Sequence, residues 1–84
     1  MPKRFPSLSY RETADILKAL GFSVKTQKGS HEQWEGLVDG VRRKVALKVG
    51  IDYDERDIRS HIKQAGVSRE QYYGATERAA KKIR

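Results

Sequence analysis

The stretch Lys28-Gly29-Ser30-His31 is a turn signal between two predicted β-strands. Residues 22–28 before it alternate polar and apolar side chains, the pattern of a strand that buries one face, and residues 31–37 after it follow as a second strand. Asp39-Gly40 is a second turn signal, and residues 41–49 continue the alternation. Two short connections between three consecutive strands predict an antiparallel meander.

A helix is predicted on each side of these strands. Ser9 and Glu12 fit a capping box, so the first helix should begin there and end near Gly21. Asp52 or Asp54 can cap the second helix, which should close at Gly66. The predicted inward stripes are Ala14, Ile16, Leu17 and Leu20 on the first helix and Ile58, Ile62 and Ala65 on the second.

The order α-β-β-β-α predicts an α+β fold, with both helices on one face of the three-stranded antiparallel sheet and the other face open. Residues 1–84 should form one domain with its core at about 8–74. Residues 1–8 are predicted to be extended. Tyr72 and Tyr73 should pack on the core from a short final helical turn, one of them with some exposure. Residues 75–84 are predicted to be a frayed basic tail.

The composition favours a folded, basic protein. Its formal net charge is +7, which attracts either phosphate backbones or an acidic protein partner. The absence of cysteine excludes disulfides and thiolate metal sites, and two histidines are too few for a zinc site. We therefore predict no metal and no cofactor. Without an apolar run of about 18 residues or a signal core near residue 7, we expect a cytoplasmic protein with no membrane association.

Strand phase predicts the surroundings of His31. Trp34 is the obvious core residue of its strand, so Glu32 points inward at the rim and His31 points to the open face. Val45 then places its neighbours in the third strand on the open face as well. The residues that we expect there with His31 are Lys25, Gln27, Gln33, Glu35, Lys44 and Lys48.

A histidine among lysines suits RNA cleavage. The reaction needs a base for the 2′-hydroxyl proton, an acid for the leaving oxygen and cations for the developing phosphate charge, and histidine can act as base or acid. Gly29 permits an unusual backbone dihedral and close approach of a phosphate, to which Ser30 could donate. Arg43, in a basic run with Arg42 and Lys44, favours phosphate contact, although such a run can also be a solvated face.

Other residues have plainer interpretations. His61, on a helix flank, is predicted to be structural or solvated rather than catalytic. Trp34 could stack on a base, but burial is favoured in so small a core. The basic residues of segment 75–84 could grip RNA non-specifically or simply keep the terminus solvated.

Residues 27–31, Gln-Lys-Gly-Ser-His, resemble the signature turn of the HicA toxins of bacterial and archaeal toxin–antitoxin systems. Residues 17–22 are similar to the end of that family's first helix, and residues 58–68 are similar to its closing helix. In register with both helices, the short turn motif becomes fairly specific. One departure is that many relatives end the third strand with a proline and a histidine, where residues 48–51 read Lys-Val-Gly-Ile.

The resemblance implies a double-stranded-RNA-binding-domain-like fold and an endoribonuclease that cleaves mRNA, inhibiting translation and growth until a HicB-type antitoxin neutralises it. It implies that His31 is catalytic and that Gly29 and Ser30 shape its turn. We expect a metal-independent reaction, a monomer when free and a hetero-oligomer with the antitoxin. The predicted RNA-binding residues are Lys25, Lys28, Gly29, Ser30, Arg43, Lys44 and Lys48. A non-catalytic RNA-binding module and a domain that binds an acidic protein remain the alternatives.

Overall fold

The computed structural model describes residues 4–84 and contains a three-stranded antiparallel sheet covered by helices. The elements are β1 (Leu8–Ser9), α1 (Tyr10–Ala19), β2 (Ser23–Lys28), β3 (His31–Val38), β4 (Val41–Lys48), β5 (Asp52–Tyr53), α2 (Glu55–Ala65), α3 (Arg69–Gly74) and α4 (Glu77–Ile83). The order in the main sheet is β2-β3-β4, so the predicted α+β class and the meander are confirmed. Residues 1–3, part of the predicted extended lead-in, lie outside the described residues.

Reciprocal hydrogen bonds cap the two main helices. The backbone N–H of Glu12 donates to Ser9 Oγ at 3.1 Å, and the N–H of Ser9 donates to Glu12 Oε1 at 2.9 Å, which is the predicted capping box. Asp54 caps α2 in the same way with Asp57, whereas Asp52 belongs to β5. Each cap satisfies donors that the first helical turn leaves without partners. None of the helices within residues 4–84 is both long and apolar enough to cross a membrane.

The strands β1 and β5 form a small second sheet that the sequence pattern did not predict. Leu8 pairs with Tyr53 and Ser9 pairs with Asp52. Two-residue strands are too short to show a period, which explains why alternation does not reveal them. The Tyr53 hydroxyl donates to the carbonyl of Lys48 at 2.5 Å, so this small sheet is tied to the end of β4.

The core lies between one face of the main sheet and the helices. Trp34, Val45 and Leu47 point from the sheet toward the helices and are almost fully buried. The helical residues buried with them include Ala14, Ile16, Leu17, Ile58, Ala65, Tyr72, Tyr73 and Ala79. The expectation that Tyr72 or Tyr73 keeps some exposure is wrong, because neither side chain reaches solvent.

Residues 75–84 do not form the frayed tail that their composition suggests. Thr76 caps α4, and Ala79 is fully buried against the core. Lys82 Nζ donates to Glu12 Oε1 and to the carbonyl of Ser7, both at 2.9 Å. A small alanine face and one lysine bridge attach this segment, so the packed structure extends beyond residue 74. Neither the burial of Ala79 nor the Lys82 contacts follow from the number of large apolar residues in this segment.

Candidate functional site

The turn before His31 depends on one glycine. Lys28 pairs with His31 across a two-residue connection, and Gly29 has φ +61°. Glycine at the first of the two turn positions is typical of a type II′ hairpin, whose twist matches that of the strands. A Cβ on Gly29 would meet no atom within 4 Å, so the requirement is the positive φ rather than space. Gln27 Nε2 donates to the Gly29 carbonyl at 3.2 Å and braces the turn.

His31 lies between two lysines on the open face of the sheet. Its register partners are Lys28 on β2 and Lys48 on β4, and all three residues are exposed. Side chains directly opposite on neighbouring strands have Cβ atoms about 4.5–5.5 Å apart. We call these three residues the Lys–His–Lys row. Two lysine side chains therefore flank His31 across the strands, and the predicted orientation of His31 and Lys48 is confirmed.

A shallow depression of about 390 Å³ adjoins the Lys–His–Lys row. Its lining includes Lys28 and His31, the next cross-strand row (Thr26, Gln33 and Ala46), Lys44 and Gln64. Gln64 reaches it from α2, where its Oε1 accepts from the N–H of Ala46 at 3.0 Å. Lys44 lies on the open face as predicted. Among the described strand residues of that face, Glu35 is the one carboxylate, so positive charge dominates.

A β-bulge overturns the predicted phase of β2. Val24 pairs with Trp34, but Thr26 pairs with Gln33, so one extra residue lies between them. Thr26 and Lys28 therefore share the face of His31. Gln27, which was predicted to lie on that face, pairs instead with the inward-pointing Glu32 and lies on the helix side. A strict two-residue period cannot reveal such an insertion.

Lys25 is the extra residue of the bulge. It lines a different depression, together with Glu35, Leu37 and Arg42. Leu37 pairs with Arg42 near the opposite end of β3 from His31. Lys25 therefore lies on the open face, as predicted, but toward the end of the sheet away from His31.

Arg43, one of the predicted RNA-binding residues, lies on the helix side of the sheet and not on the face of His31. It is in phase with Val45 and Leu47, and its Nε is buried without a hydrogen-bond partner among the described residues. A Cβ on Gly66 would lie 2.7 Å from Arg43 Nε, which shows how closely the guanidinium packs against the end of α2.

A buried hydrogen-bond pair explains why Glu32 points inward next to His31. The Tyr10 hydroxyl donates to Glu32 Oε1 at 2.7 Å, and Trp34 Nε1 donates to the same oxygen at 3.1 Å. Burial, together with the hydrogen bond to the Glu32 carboxylate, raises the pKa of Tyr10 to about 12. Trp34 is committed to the core, as predicted. Sequence reasoning missed Tyr10, which no local pattern links to Glu32.

His61 is buried and does not line the depression beside His31. Its ring stands edge-on to the Tyr53 ring at 4.8 Å between centroids, and its Nδ1 is buried without a partner among the described residues. Burial lowers the pKa of His61, and the nearby Asp57 carboxylate opposes this only in part. Because the unfolded chain binds this proton more readily, His61 makes the fold less stable as the pH falls below the ordinary value of 6.5.

The chain matches no protein-family model, and no curated protein matches it significantly. Within residues 4–84, no group of three or more histidine or acidic side chains is placed to hold a metal ion. The function is therefore inferred from the side chains and their arrangement. The Lys–His–Lys row is the arrangement with the clearest chemical use.

Proposed function

We propose that this protein is an endoribonuclease toxin of the HicA type, with a double-stranded-RNA-binding-domain-like fold, and that His31 carries out acid–base catalysis on mRNA. The observation that carries the proposal is the Lys–His–Lys row, which puts an exposed imidazole between two lysines. The element order around the turn fits the resemblance of residues 27–31 to the HicA signature. Lys48 adds a cation close to where many relatives have their second histidine.

The reaction follows from the groups in the row. Neutral His31 takes the proton of a ribose 2′-hydroxyl, and the 2′-oxygen attacks the adjacent phosphorus. The bond to the 5′-oxygen of the next nucleotide breaks, leaving a 2′,3′-cyclic phosphate and a 5′-hydroxyl end. The ammonium groups of Lys28 and Lys48 stabilise the extra negative charge on the phosphate oxygens. The proton reaches the leaving oxygen from protonated His31, from one of the lysines or from water.

The same face provides the site of control. A HicB-type antitoxin with acidic side chains would cover the exposed cations and exclude RNA from His31. The described positive charge on this face includes Lys28, Arg42, Lys44 and Lys48, against the single carboxylate of Glu35. Complementary charge of this kind speeds association and selects the partner. The free toxin is then a monomer, and the inhibited form is a hetero-oligomer.

The purified protein is expected to cleave RNA in the presence of a metal chelator. End analysis of the fragments should give 2′,3′-cyclic phosphates and 5′-hydroxyls, since the mechanism uses the 2′-hydroxyl as nucleophile and no metal. DNA of the same sequence, which lacks that hydroxyl, should remain intact and serves as the control substrate.

Two results would contradict this proposal. Salt-sensitive binding of RNA that stays intact would identify a non-catalytic RNA-binding module. Absence of RNA affinity even at low salt would favour a domain whose basic face binds an acidic protein.

A further inference from the structure

Three arginines from separate segments surround the ring of Phe5. The Cζ atoms of Arg4, Arg59 and Arg69 lie 5.9, 5.5 and 5.8 Å from its centroid. Arg4 precedes β1, Arg59 lies on α2 and Arg69 begins α3. We call these three residues with Phe5 the Phe5 arginine cluster. The tertiary fold alone brings them together, so no run of basic residues in the sequence marks the cluster.

Neighbouring carboxylates leave the cluster with a positive surplus. Arg69 Nη1 contacts Glu70 Oε2 at 2.7 Å, and Arg59 Nη1 contacts Glu55 Oε2 at 3.4 Å. The second pair is well exposed, with 64% and 56% of the two side chains accessible, so it is weak. Arg4 adds a third positive charge, and Arg56 lies beside Arg59 in a shallow depression on α2. Like charges held this close repel one another, and a bound anion relieves that repulsion.

The members of the cluster have different exposure. The side chain of Arg69 is only 17% accessible, and its Nε donates to the carbonyl of Arg4, so Arg69 fixes the segment before β1. Arg59 and Arg4 are exposed, so a ligand can contact them from solvent. Guanidinium groups bind phosphate oxygens through paired N–H donors, which makes phosphate a well-matched anion for this cluster.

The Phe5 arginine cluster belongs to elements on the helix side of the main sheet, whereas the Lys–His–Lys row lies on the open face. The end of α2 lies against the middle of β4, because Gly66 is close to Arg43 and Gln64 Oε1 accepts from the N–H of Ala46. The helix therefore runs back along β4, and its first turns, which carry Arg56 and Arg59, lie toward the end of β4 where Lys48 is. An RNA that leaves His31 past Lys48 reaches the first turns of α2 only by passing round the edge of the sheet at β4, which is an outer strand.

We propose that the Phe5 arginine cluster is a second phosphate-binding site, which holds the backbone of the same RNA outside the bond that His31 cleaves. This inference rests on the proposed function, since it assigns the cluster to the same substrate. Through this site the protein binds the phosphate backbone of RNA independently of the base sequence. It also predicts that RNA affinity and cleavage chemistry reside in separate groups.

Binding of a labelled single-stranded RNA to the His31→Ala protein tests this site without cleavage. Adding Arg59→Gln is expected to weaken binding and to reduce the slope of log affinity against log salt by about 0.7, the value for one phosphate contact on a single strand. Adding Arg4→Gln as well should bring the total reduction to about 1.4. Lys63→Gln, an equal charge change at an exposed position on the same helix, is the control and should keep the slope.

The possible failures are distinguishable. If the His31→Ala protein binds RNA but Arg59→Gln and Lys63→Gln give the same slope, the second phosphate site is wrong and the proposed function stands. If neither the native protein nor the His31→Ala protein binds RNA at low salt, the proposed function itself is wrong. A circular dichroism spectrum of each variant confirms that the comparison is between folded proteins.

Discussion

His31→Ala is expected to slow RNA cleavage by about 10²–10⁴-fold, the usual contribution of a general acid or base. RNA binding should change little, because Lys28, Lys44 and Lys48 remain in place. His31 is exposed at the start of β3, so its loss leaves the core intact and the melting temperature nearly unchanged. The measurement is the single-turnover cleavage rate at saturating protein, with the affinity determined separately.

Leu37→Ala is the matched control for His31→Ala. Leu37 lies on the same face of the same strand, at the other end, and is 67% exposed. The Leu37→Ala protein should cleave RNA at the native rate. If His31→Ala also cleaves at the native rate and stops growth when expressed, His31 is not the catalytic group.

Trp34→Ala is expected to lower the free energy of unfolding by about 3–5 kcal/mol, as large-to-small changes of aromatic core residues do. Trp34 is 1% exposed, and its Nε1 donates to the buried Glu32 carboxylate. The substitution leaves a cavity and removes one of the two hydrogen bonds to that charged group. The total free energy of unfolding of a small domain is about 5–15 kcal/mol, so the Trp34→Ala protein should be only marginally stable.

Trp34→Phe separates the two contributions. It keeps most of the buried apolar surface but removes the N–H that donates to Glu32. Because the carboxylate loses this donor, we expect the free energy of unfolding to fall by about 1–3 kcal/mol. Urea unfolding followed by circular dichroism suits both variants, because Trp34 is the one tryptophan of the chain and its fluorescence disappears with it. A loss below about 1 kcal/mol for Trp34→Ala would contradict the central role of this side chain.

The orientation of His31 could be predicted because its strand is regular. Trp34 sets the phase of β3, and no bulge interrupts the chain between residues 31 and 34. The same holds for β4, where Val45 and Leu47 fix the outward direction of Lys44 and Lys48. The helix caps were equally accessible, since a capping box is a contact between residues three positions apart.

Features that depend on distant contacts could not be predicted in this way. Because of the bulge in β2, Gln27 does not share the face of His31 as predicted. A two-residue period in the sequence does not indicate a single inserted residue. The pairing of β1 with β5 joins two segments that are far apart in the sequence. The Tyr10 hydrogen bond to Glu32 likewise joins α1 to β3.

At Arg43, strand phase and charge point in different directions. Its phase with Val45 already places it on the helix side, yet its basic neighbours suggested a phosphate contact. Strand phase determines the direction of the Arg43 side chain more firmly than its basic neighbours do. Turning that one side chain to the other face would require a change in the pleat of β4. Charge alone also could not separate an RNA partner from an acidic protein, which is why the functional proposal rests on the position of His31.

The most direct test of the central claim follows the two histidines by nuclear magnetic resonance. An RNA with 2′-O-methyl groups throughout cannot be cleaved by this mechanism, because the nucleophilic hydroxyl is blocked. When it is titrated into the native protein, the ring signals of exposed His31 should shift strongly, and more than those of buried His61. If the RNA binds and the His31 signals do not move, the open face of the sheet is not where this protein engages RNA.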